Sequence, residues 1–520
     1  MQNRNSPLPS LKPLFVLLFG FMVAFHLGCA LKGRSFIRAS HLGTALEYAQ
    51  GSIDLRHPHL VGFNANGAPT AQELPLWQAV TAVVFKLTRS TWYGWGNLVS
   101  LALFASALWP FYRLAREYLG ERAAGWATVF FLSEPLIIVY GGEAATDGFC
   151  LVLTVWFLYF ADLLVRTGAP RWCLPAAMFG ALAAVEKLPF FMAAGLCSVC
   201  MLLVHRVGDW RRWVMLGAVG MFSAAALFVW GRHADTLAAQ AVFPYYELRV
   251  SQNPHLQLWY FGDLHSRLSA AAWIKGGWRF LHATLGVLPF AAILAVGFVQ
   301  AGNRLPKLWL LMTFLTTLVF TPLVLNHWHY YLMCAPPVAM VCGSVLARWE
   351  PFLASELPRP WLRTAIVALA FLGSALAGLI TMKISLELDT FPQQIATILR
   401  EKTKPEDKLV VYGEATWGGE VLFRSGRQGL SVFSLHDIPG VKTSKGLKEL
   451  LADEANLRRL KSLGFTKLVL LSESPVRFAV QASNPGSQRT RIYYPESVSP
   501  SVDAWPVLYR SEDVLIRAIP

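Results

Sequence analysis

Long apolar runs are the feature that most constrains how this chain can fold. A helix that spans a membrane needs about 17–25 mostly apolar residues. Eleven segments approach or meet that length: 13–31, 95–111, 123–140, 148–165, 172–185, 189–205, 213–231, 283–301, 308–325, 330–347 and 362–382. About 11% of residues 1–383 are charged, against about 25% of residues 384–520, which is the value usual for soluble proteins. The sequence therefore predicts a polytopic α-helical membrane body over residues 1–382 and a soluble domain over residues 383–520.

Basic residues mark one side of the predicted membrane body. If the N-terminus is inside, the short inner loops carry thirteen Lys and Arg residues, whereas the short outer connections carry only Lys187. The thirteen are Arg113, Arg116, Arg122, Arg166, Arg171, Arg206, Arg211, Arg212, Arg304, Lys307, Arg348, Arg359 and Arg363. By the positive-inside rule we expect a multi-pass protein of a bacterial inner (plasma) membrane, with a cytoplasmic N-terminus and a periplasmic C-terminal domain. Because these loops carry much of the net charge of +14, no nucleic-acid partner is expected.

Three larger pieces are expected on the outer side, namely residues 32–94, residues 232–282 and the tail. Residues 74–87 are apolar but short for a span, and counting them as one would reverse the side of every later loop. We therefore expect a helix that lies at the outer interface of the membrane.

The tail has the pattern of a small α/β domain. Residues 388–402 and 445–462 are expected to be helical, and Lys408–Tyr412 and Lys467–Leu471 are expected to be buried strands. Val507–Tyr509 and Val514–Ile516 would add edge strands.

The first apolar run has two interpretations. His26-Leu27-Gly28-Cys29 is close to a lipoprotein cleavage site, which would make this run a signal peptide. Histidine three residues before the cysteine fits such a site poorly, so an uncleaved anchor is favoured.

Polar residues gather on the expected outer side, in four segments that are distant in sequence. These segments are Gln72–Leu76, Tyr140–Asp147, Glu186–Pro189 and Asn326–Tyr331. Charged groups at membrane depth are costly, so they are candidates for function. Carboxylates, a lysine, imidazoles and phenols together have the chemistry to hold a phosphate and to deprotonate a hydroxyl.

Each candidate also has a purely structural explanation. Asp147 is either a catalytic carboxylate or the cap of the fourth span. Glu73 is either catalytic or a first-turn charge that complements a helix dipole. Lys187 either binds a phosphate or pairs with Glu186.

The aromatic and basic candidates have similar alternatives. His327, His329, Tyr330 and Tyr331 either contact substrate or form an aromatic belt at the interface. Arg249 lies in the second outer loop, where it is a candidate for gripping a phosphate.

These segments resemble the GT-C superfamily of polyprenyl-phosphate-sugar-dependent glycosyltransferases. The pattern is most similar to glycosyltransferase family 39, the protein mannosyltransferases and the aminoarabinose transferases that modify lipid A. The resemblance covers about residues 10–350 and is carried by QELPLWQ at 72–78, the stretch from Pro135 to Asp147, Glu186–Pro189 and His329–Tyr331. It implies a GT-C-like fold of about 11 spans followed by the soluble domain.

The resemblance also implies an activity. A sugar would pass from a polyprenyl-phosphate donor to a lipid, polysaccharide or protein acceptor outside the cytoplasm, with inversion. Asp147 or Glu73 would deprotonate the acceptor, and Lys187 with an arginine or histidine would stabilise the phosphate.

The chain departs from this family at one position. Members usually carry an Asp just after the first span as the favoured base, but Arg34–Leu46 contains no carboxylate, and Arg38, Ser40 and His41 occupy the stretch. The base is therefore Glu73 or Asp147, or His41 replaces it, or the usual chemistry has been lost. We favour the carboxylates, with His41 and Arg38 as substrate-binding candidates.

Other functions are compatible with parts of the sequence. The main alternative is a transporter or flippase of a lipid-linked glycan, but charges within the spans are few and no internal repeat is visible. A further alternative is a scaffold that binds a partner through residues 383–520. No cofactor is required; a divalent metal is compatible with the carboxylates and histidines, although no ligand spacing specifies one.

Overall fold

The computed structural model describes residues 11–520 with the exception of 32–38, 62–68, 70–72, 241–253, 287, 300–303, 357–358, 383–389, 414–418, 433–453 and 473–499. The chain falls into two compact units. The first consists of residues 1–29, 97–228 and 261–382, and the second of residues 30–96, 229–260 and 383–520. The division into 1–382 and 383–520 made from the sequence stays a prediction.

The first unit is built from helices. They are α1 (Lys12–Leu31), α4 (Gly94–Leu119), α5 (Glu121–Ser133), α6 (Pro135–Tyr140), α7 (Thr146–Thr167), α8 (Cys173–Glu186), α9 (Leu188–Val204), α10 (Trp210–Ala238), α12 (Leu264–Leu268), α13 (Ala270–Phe280), α14 (Leu288–Val299), α15 (Arg304–Val319), α16 (Thr321–Asn326), α17 (Ala335–Glu356) and α18 (Pro360–Thr381). Short 3₁₀ segments cover Pro170–Trp172 and Trp328–Cys334, and a π-helical turn covers Leu281–Leu285. α4 and α10 extend at one end into the second unit.

The expected polytopic helical architecture is confirmed, but the count of about 11 spans is not. Among the described residues, six helical stretches are long and apolar enough to cross a membrane: Lys12–Leu31, Gly94–Leu119, Thr146–Thr167, Trp210–Ala238, Trp328–Leu353 and Trp361–Thr381.

A helix break divides one of the eleven runs. The run 123–140 is divided at Glu134, which takes an extended conformation before Pro135 and separates α5 from α6. At the connection expected between the runs 172–185 and 189–205, Lys187 is an extended residue between α8 and α9, which have 14 and 17 residues. At both positions a polar residue in an extended conformation separates two helices within an otherwise apolar stretch.

The second unit contains the α/β domain. Its five strands are β1 (Lys408–Tyr412), β2 (Gln428–Val432), β3 (Phe465–Leu471), β4 (Val507–Arg510) and β5 (Val514–Ala518), in the order β2-β1-β3-β5-β4. The first three are parallel, and β5 is antiparallel to both β3 and β4. Helices α19 (Phe391–Lys402), α20 (Glu420–Ser425), α21 (Glu454–Ser462) and α22 (Pro500–Asp503) accompany them.

The alternating strand side chains build two cores. Val410, Leu468 and Leu515 face a core with Trp505, whereas Val411 and Val469 face one with Ile395 of α19. The sequence-based assignment of Val514–Ile516 to an edge strand is wrong, because β5 lies between β3 and β4 and its Val514–Ile516 segment is fully buried. The two edge strands are β4 and β2. Strand β2 was not predicted, because it begins with the polar pair Gln428-Gly429.

Part of the first outer piece also belongs to the second unit. Helices α2 (Ala39–Gln50) and α3 (Leu76–Thr88) pack together through Tyr48, Ala79 and Ala82. Helix α3 coincides with residues 74–87, the segment expected to lie at the membrane interface. Helix α11 (Pro254–Phe261) lies at the end of residues 229–260, which also belong to the second unit. Val61 packs on the core of the α/β domain, so the outer piece contacts the tail.

Candidate functional site

Asp147 lies in the first turn of α7 and is completely buried. The N-terminus of a helix carries a partial positive charge that favours a carboxylate. Burial removes the water that would otherwise solvate the charge, so a buried carboxylate requires compensating groups.

Lys187 provides such compensation. Its Nζ lies 2.9 Å from Oδ1 of Asp147, and the lysine side chain is only 7% exposed. The single extended residue between α8 and α9 carries this side chain, and Pro189 supports the second helix start because proline is well suited to the first turn. The structure therefore joins two of the predicted segments in a buried ion pair.

The third predicted segment reaches the same place. Nε2 of His329 lies 3.9 Å from Oδ1 of Asp147, and Nζ of Lys187 lies 5.5 Å from the centre of the Tyr330 ring. The rings of His329 and Tyr330 are 4.5 Å apart. We call Asp147, Lys187, His329 and Tyr330 the Asp147 cluster. It combines a proton acceptor, a fixed cation and an imidazole, which is a set suited to acid–base chemistry beside an anionic group.

Two further candidates lie beside this cluster with different contacts. The His327 ring is 5.3 Å from the His329 ring, and its Nδ1 lies 2.9 Å from the carbonyl oxygen of Leu323. Tyr331 donates a hydrogen bond of 3.0 Å to the carbonyl oxygen of Gly276, so its hydroxyl is used to hold α13. His327 thus extends the cluster, whereas Tyr331 has a structural contact.

The loop before Asp147 is held by close packing against its glycines. Asn97 donates a hydrogen bond of 2.7 Å to the carbonyl oxygen of Gly142, and Nε2 of His26 lies 2.7 Å from the carbonyl oxygen of Ile138. A Cβ atom at Gly142 would overlap the His26 ring, and one at Gly141 would lie 2.5 Å from Cε of Met22. This packing fixes the start of α7 and so the position of Asp147.

Gly142→Ala tests this packing. We expect the added methyl group to displace His26 and to destabilise the protein by about 1–3 kcal/mol, with a matching fall in the thermal unfolding temperature. Gly217→Ala is the control, because a Cβ atom at Gly217 meets no atom within 4 Å. Equal unfolding temperatures in the two variants would contradict the proposed role of the loop.

The remaining candidates are elsewhere or are not described. Glu73 lies just before α3 and is partly exposed, and His41 is buried in α2 with Nδ1 2.8 Å from Nε2 of Gln78. Both belong to the second unit. Arg38 and Arg249 lie outside the described residues, so their predicted roles stay predictions.

Sequence reasoning missed Arg279 of α13. Its guanidinium donates to the carbonyl oxygen of Leu325 and lies 5.6 Å from the centre of the Trp328 ring, next to the segment that carries His329. The available signal was a basic residue next to Trp278 within residues 232–282, the second piece expected on the outer side. His26 was also missed as a packing residue, because its neighbourhood resembles a cleavage site.

A bound divalent metal ion needs several ligand atoms placed around one point. In the described part of the chain, no group of three or more His, Cys, Asp or Glu side chains is arranged to hold one. Lys187 also places an ammonium group 2.9 Å from the carboxylate that would be the first ligand. An ammonium group at that distance opposes a second cation, so in the arrangement described the Asp147 cluster does not fit a divalent metal.

Comparison with known proteins gave structural but no sequence matches: no family model and no curated protein matched the chain. The structure of ArnT from Cupriavidus metallidurans bound to undecaprenyl phosphate aligns with a TM-score of 0.63, 14% identity and 98% coverage of both chains. The Archaeoglobus fulgidus oligosaccharyltransferase in complex with Zn and sulfate aligns with a TM-score of 0.50 and 10% identity, over 88% of this chain and 67% of that one. The arabinofuranosyltransferase AftD from Mycobacteria (mutant R1389S) aligns with a TM-score of 0.51 and 16% identity, over 99% of this chain and 42% of that one.

These matches concern the fold, because identities of 10–16% carry no assignment of activity. All three proteins belong to the GT-C superfamily, to which the sequence pattern had pointed. The chain therefore shares its fold with these three proteins, as the resemblance found in the sequence predicted.

Proposed function

We propose that this chain is an integral membrane glycosyltransferase that moves a sugar from a polyprenyl-phosphate donor to an extracytoplasmic acceptor, with inversion. The observation that carries the proposal is the buried Asp147 cluster within a GT-C fold. ArnT, the neighbour that aligns over its whole length, was crystallised with undecaprenyl phosphate, which supports a lipid-phosphate donor.

The proposed reaction takes place in one step. Asp147 accepts the proton of the acceptor hydroxyl, and the oxygen forms a bond to the anomeric carbon of the sugar. The bond from that carbon to the phosphate oxygen breaks, and its electron pair stays on the lipid phosphate. Because the transfer is a single displacement with inversion, no covalent enzyme intermediate is needed.

Lys187 is assigned to the phosphate. A lysine ammonium is a compact point charge that suits phosphate oxygens. In the structure its Nζ pairs with Oδ1 of Asp147 instead, at 2.9 Å, so this carboxylate oxygen is occupied by the ammonium group. A donor phosphate that draws Lys187 towards itself would leave this oxygen of Asp147 open to the acceptor hydroxyl, so donor binding would prepare the base. His329, 3.9 Å from the same carboxylate oxygen, is a second group for the phosphate.

Glu73, His41, Arg38 and Arg249 keep their predicted roles within this proposal. Glu73 is the second candidate base, and the two arginines and His41 are candidate substrate contacts. We also propose a bacterial inner membrane location with the N-terminus in the cytoplasm and the C-terminal domain in the periplasm. The charge asymmetry of the loops supports this orientation.

The activity test uses the purified full-length chain in liposomes with polyprenyl-phosphate-linked sugars. Mass spectra of cell-envelope glycans with and without the protein would identify which sugar and acceptor to supply. We expect consumption of the donor and one new glycosylated product with inverted anomeric configuration. Movement of labelled lipid across the liposome membrane without any glycosyl product would instead establish the flippase alternative, which none of the three neighbours supports.

The Asp147–Lys187 pair makes a prediction about metal. Zinc was present in the oligosaccharyltransferase neighbour, so a divalent metal is plausible for proteins of this fold. Because Lys187 already provides the positive charge next to Asp147, we expect transfer by this chain to retain more than half of its rate after dialysis against EDTA. Loss of activity that returns with Mg²⁺, Mn²⁺ or Zn²⁺ would contradict this expectation.

A further inference from the structure

A second charged cluster lies in a cleft of the first unit and does not include Asp147. It is lined by residues of α5, α17, α18 and the start of α1, among them Leu14, Trp126, Glu350, Leu353, Arg363 and Val367. We call it the Glu350 cleft. All of these residues belong to the first unit.

Glu350 is already neutralised by its neighbours. It is 1% exposed, accepts a hydrogen bond of 2.9 Å from Nε1 of Trp126 and forms an ion pair with Arg122 of α5. One carboxylate and one guanidinium therefore cancel, and they hold the ends of α5 and α17 together. Such a buried pair is ordinary structural chemistry.

Arg363 is an arginine of the cleft that takes no part in the ion pair between Arg122 and Glu350. Its side chain lines the cleft and is only 9% exposed, and its Nε has no hydrogen-bond partner within the described chain. Among the same described residues, none provides an ion-pair partner for its guanidinium. A buried arginine without an acceptor is costly, so it indicates an anion that the cleft receives.

The surroundings of the cleft suit a lipid. Leu14, Leu353 and Val367 give it an apolar wall next to the guanidinium. Trp349, Phe352 and Trp361 at the adjoining ends of α17 and α18 are 43%, 65% and 66% exposed. Exposed aromatic residues at helix ends are typical of the level where membrane and water meet.

We propose that the Glu350 cleft binds the phosphate group of an anionic phospholipid. Arg363 grips the phosphate, and the apolar wall receives the first part of an acyl chain. Arg122 and Arg363 belong to loops expected on the inner side, where anionic lipids attract basic groups. This inference is independent of the proposed transferase activity.

The test is native mass spectrometry of the full-length chain with phosphatidylglycerol or phosphatidylcholine. The unmodified protein is expected to retain phosphatidylglycerol about fivefold more strongly, the effect of one basic group at a membrane surface. Arg363→Gln should remove that preference, whereas Arg359→Gln is the matched control because Arg359 is an exposed arginine at the start of the same helix. An unchanged preference in Arg363→Gln, equal loss in Arg359→Gln, or no preference in the unmodified protein would overturn the proposal.

Two further measurements test whether the cleft binds a lipid or a free anion. Leu353→Trp keeps both arginines but narrows the apolar side of the cleft, so it should also lower phosphatidylglycerol retention, even if Arg363→Gln fails to fold. Inorganic phosphate at constant ionic strength should not displace the lipid. Displacement by phosphate, together with full retention in Leu353→Trp, would assign the cleft to a free anion and overturn the lipid assignment.

Discussion

Asp147→Asn is expected to lower kcat for sugar transfer by about 10²–10⁴-fold, the usual contribution of a general base. Asparagine keeps the size and most of the polarity of the side chain but cannot accept the proton of the acceptor hydroxyl. The measurement is product formation by the purified variant at saturating donor, normalised to folded protein. Donor binding should persist, because Lys187 and His329 remain in place.

The chain offers a matched control on the same helix. Asp162 is also a buried carboxylate of α7, 1% exposed, but it is held by Tyr118, whose hydroxyl donates at 2.6 Å, and by Arg166, whose Nε donates at 2.7 Å. These bonds satisfy it as a structural group near the far end of the helix. Asp162→Asn should therefore lower stability while kcat per folded molecule changes less than about threefold. Full activity in Asp147→Asn would transfer the role of base to Glu73 or His41.

Much of the candidate site was predictable because the distribution of basic residues among the loops predicts on which side of the membrane each loop lies. The contrast between Lys187 and the thirteen basic residues of the expected inner loops predicted one side for three separate segments. The structure brings Asp147, Lys187 and His329 together. The pattern was informative because each charge in an apolar chain is costly and must have a partner.

Distances and side-chain directions were not predictable in the same way. Tyr330 faces Lys187 whereas its neighbour Tyr331 bonds to Gly276, because consecutive residues of a tight 3₁₀ segment point in different directions. No periodicity in the sequence separates the two. Likewise, whether Glu73 approaches Asp147 depends on how two units meet, which stays a prediction.

The count of about 11 spans, which is not confirmed, rests on the lengths of apolar runs. Hydropathy measures how apolar a run is, but it does not register a single residue at which the helix stops. Glu134, within the run 123–140, is such a residue, because it separates α5 from α6. In the α/β domain, strand β2 was not predicted. The backbone of Gly429 approaches that of Leu409 so closely that only glycine fits there. Because glycine lowers strand propensity, the sequence of β2 does not indicate a strand.

Lys187→Met is expected to raise the KM for the donor and to lower kcat/KM by about 10²–10³-fold, the usual effect of removing a group that stabilises developing negative charge. The same change leaves Asp147 buried without its cation, which costs about 3–5 kcal/mol of folding stability. Activity loss alone would therefore not separate catalysis from folding. The double variant Asp147→Asn/Lys187→Met does separate them, because it removes both charges together. We expect its thermal unfolding temperature to return towards that of the unmodified protein while transfer remains absent. If the double variant regained activity along with stability, the Asp147–Lys187 pair would be a structural ion pair, and the bond-breaking chemistry would belong to other residues.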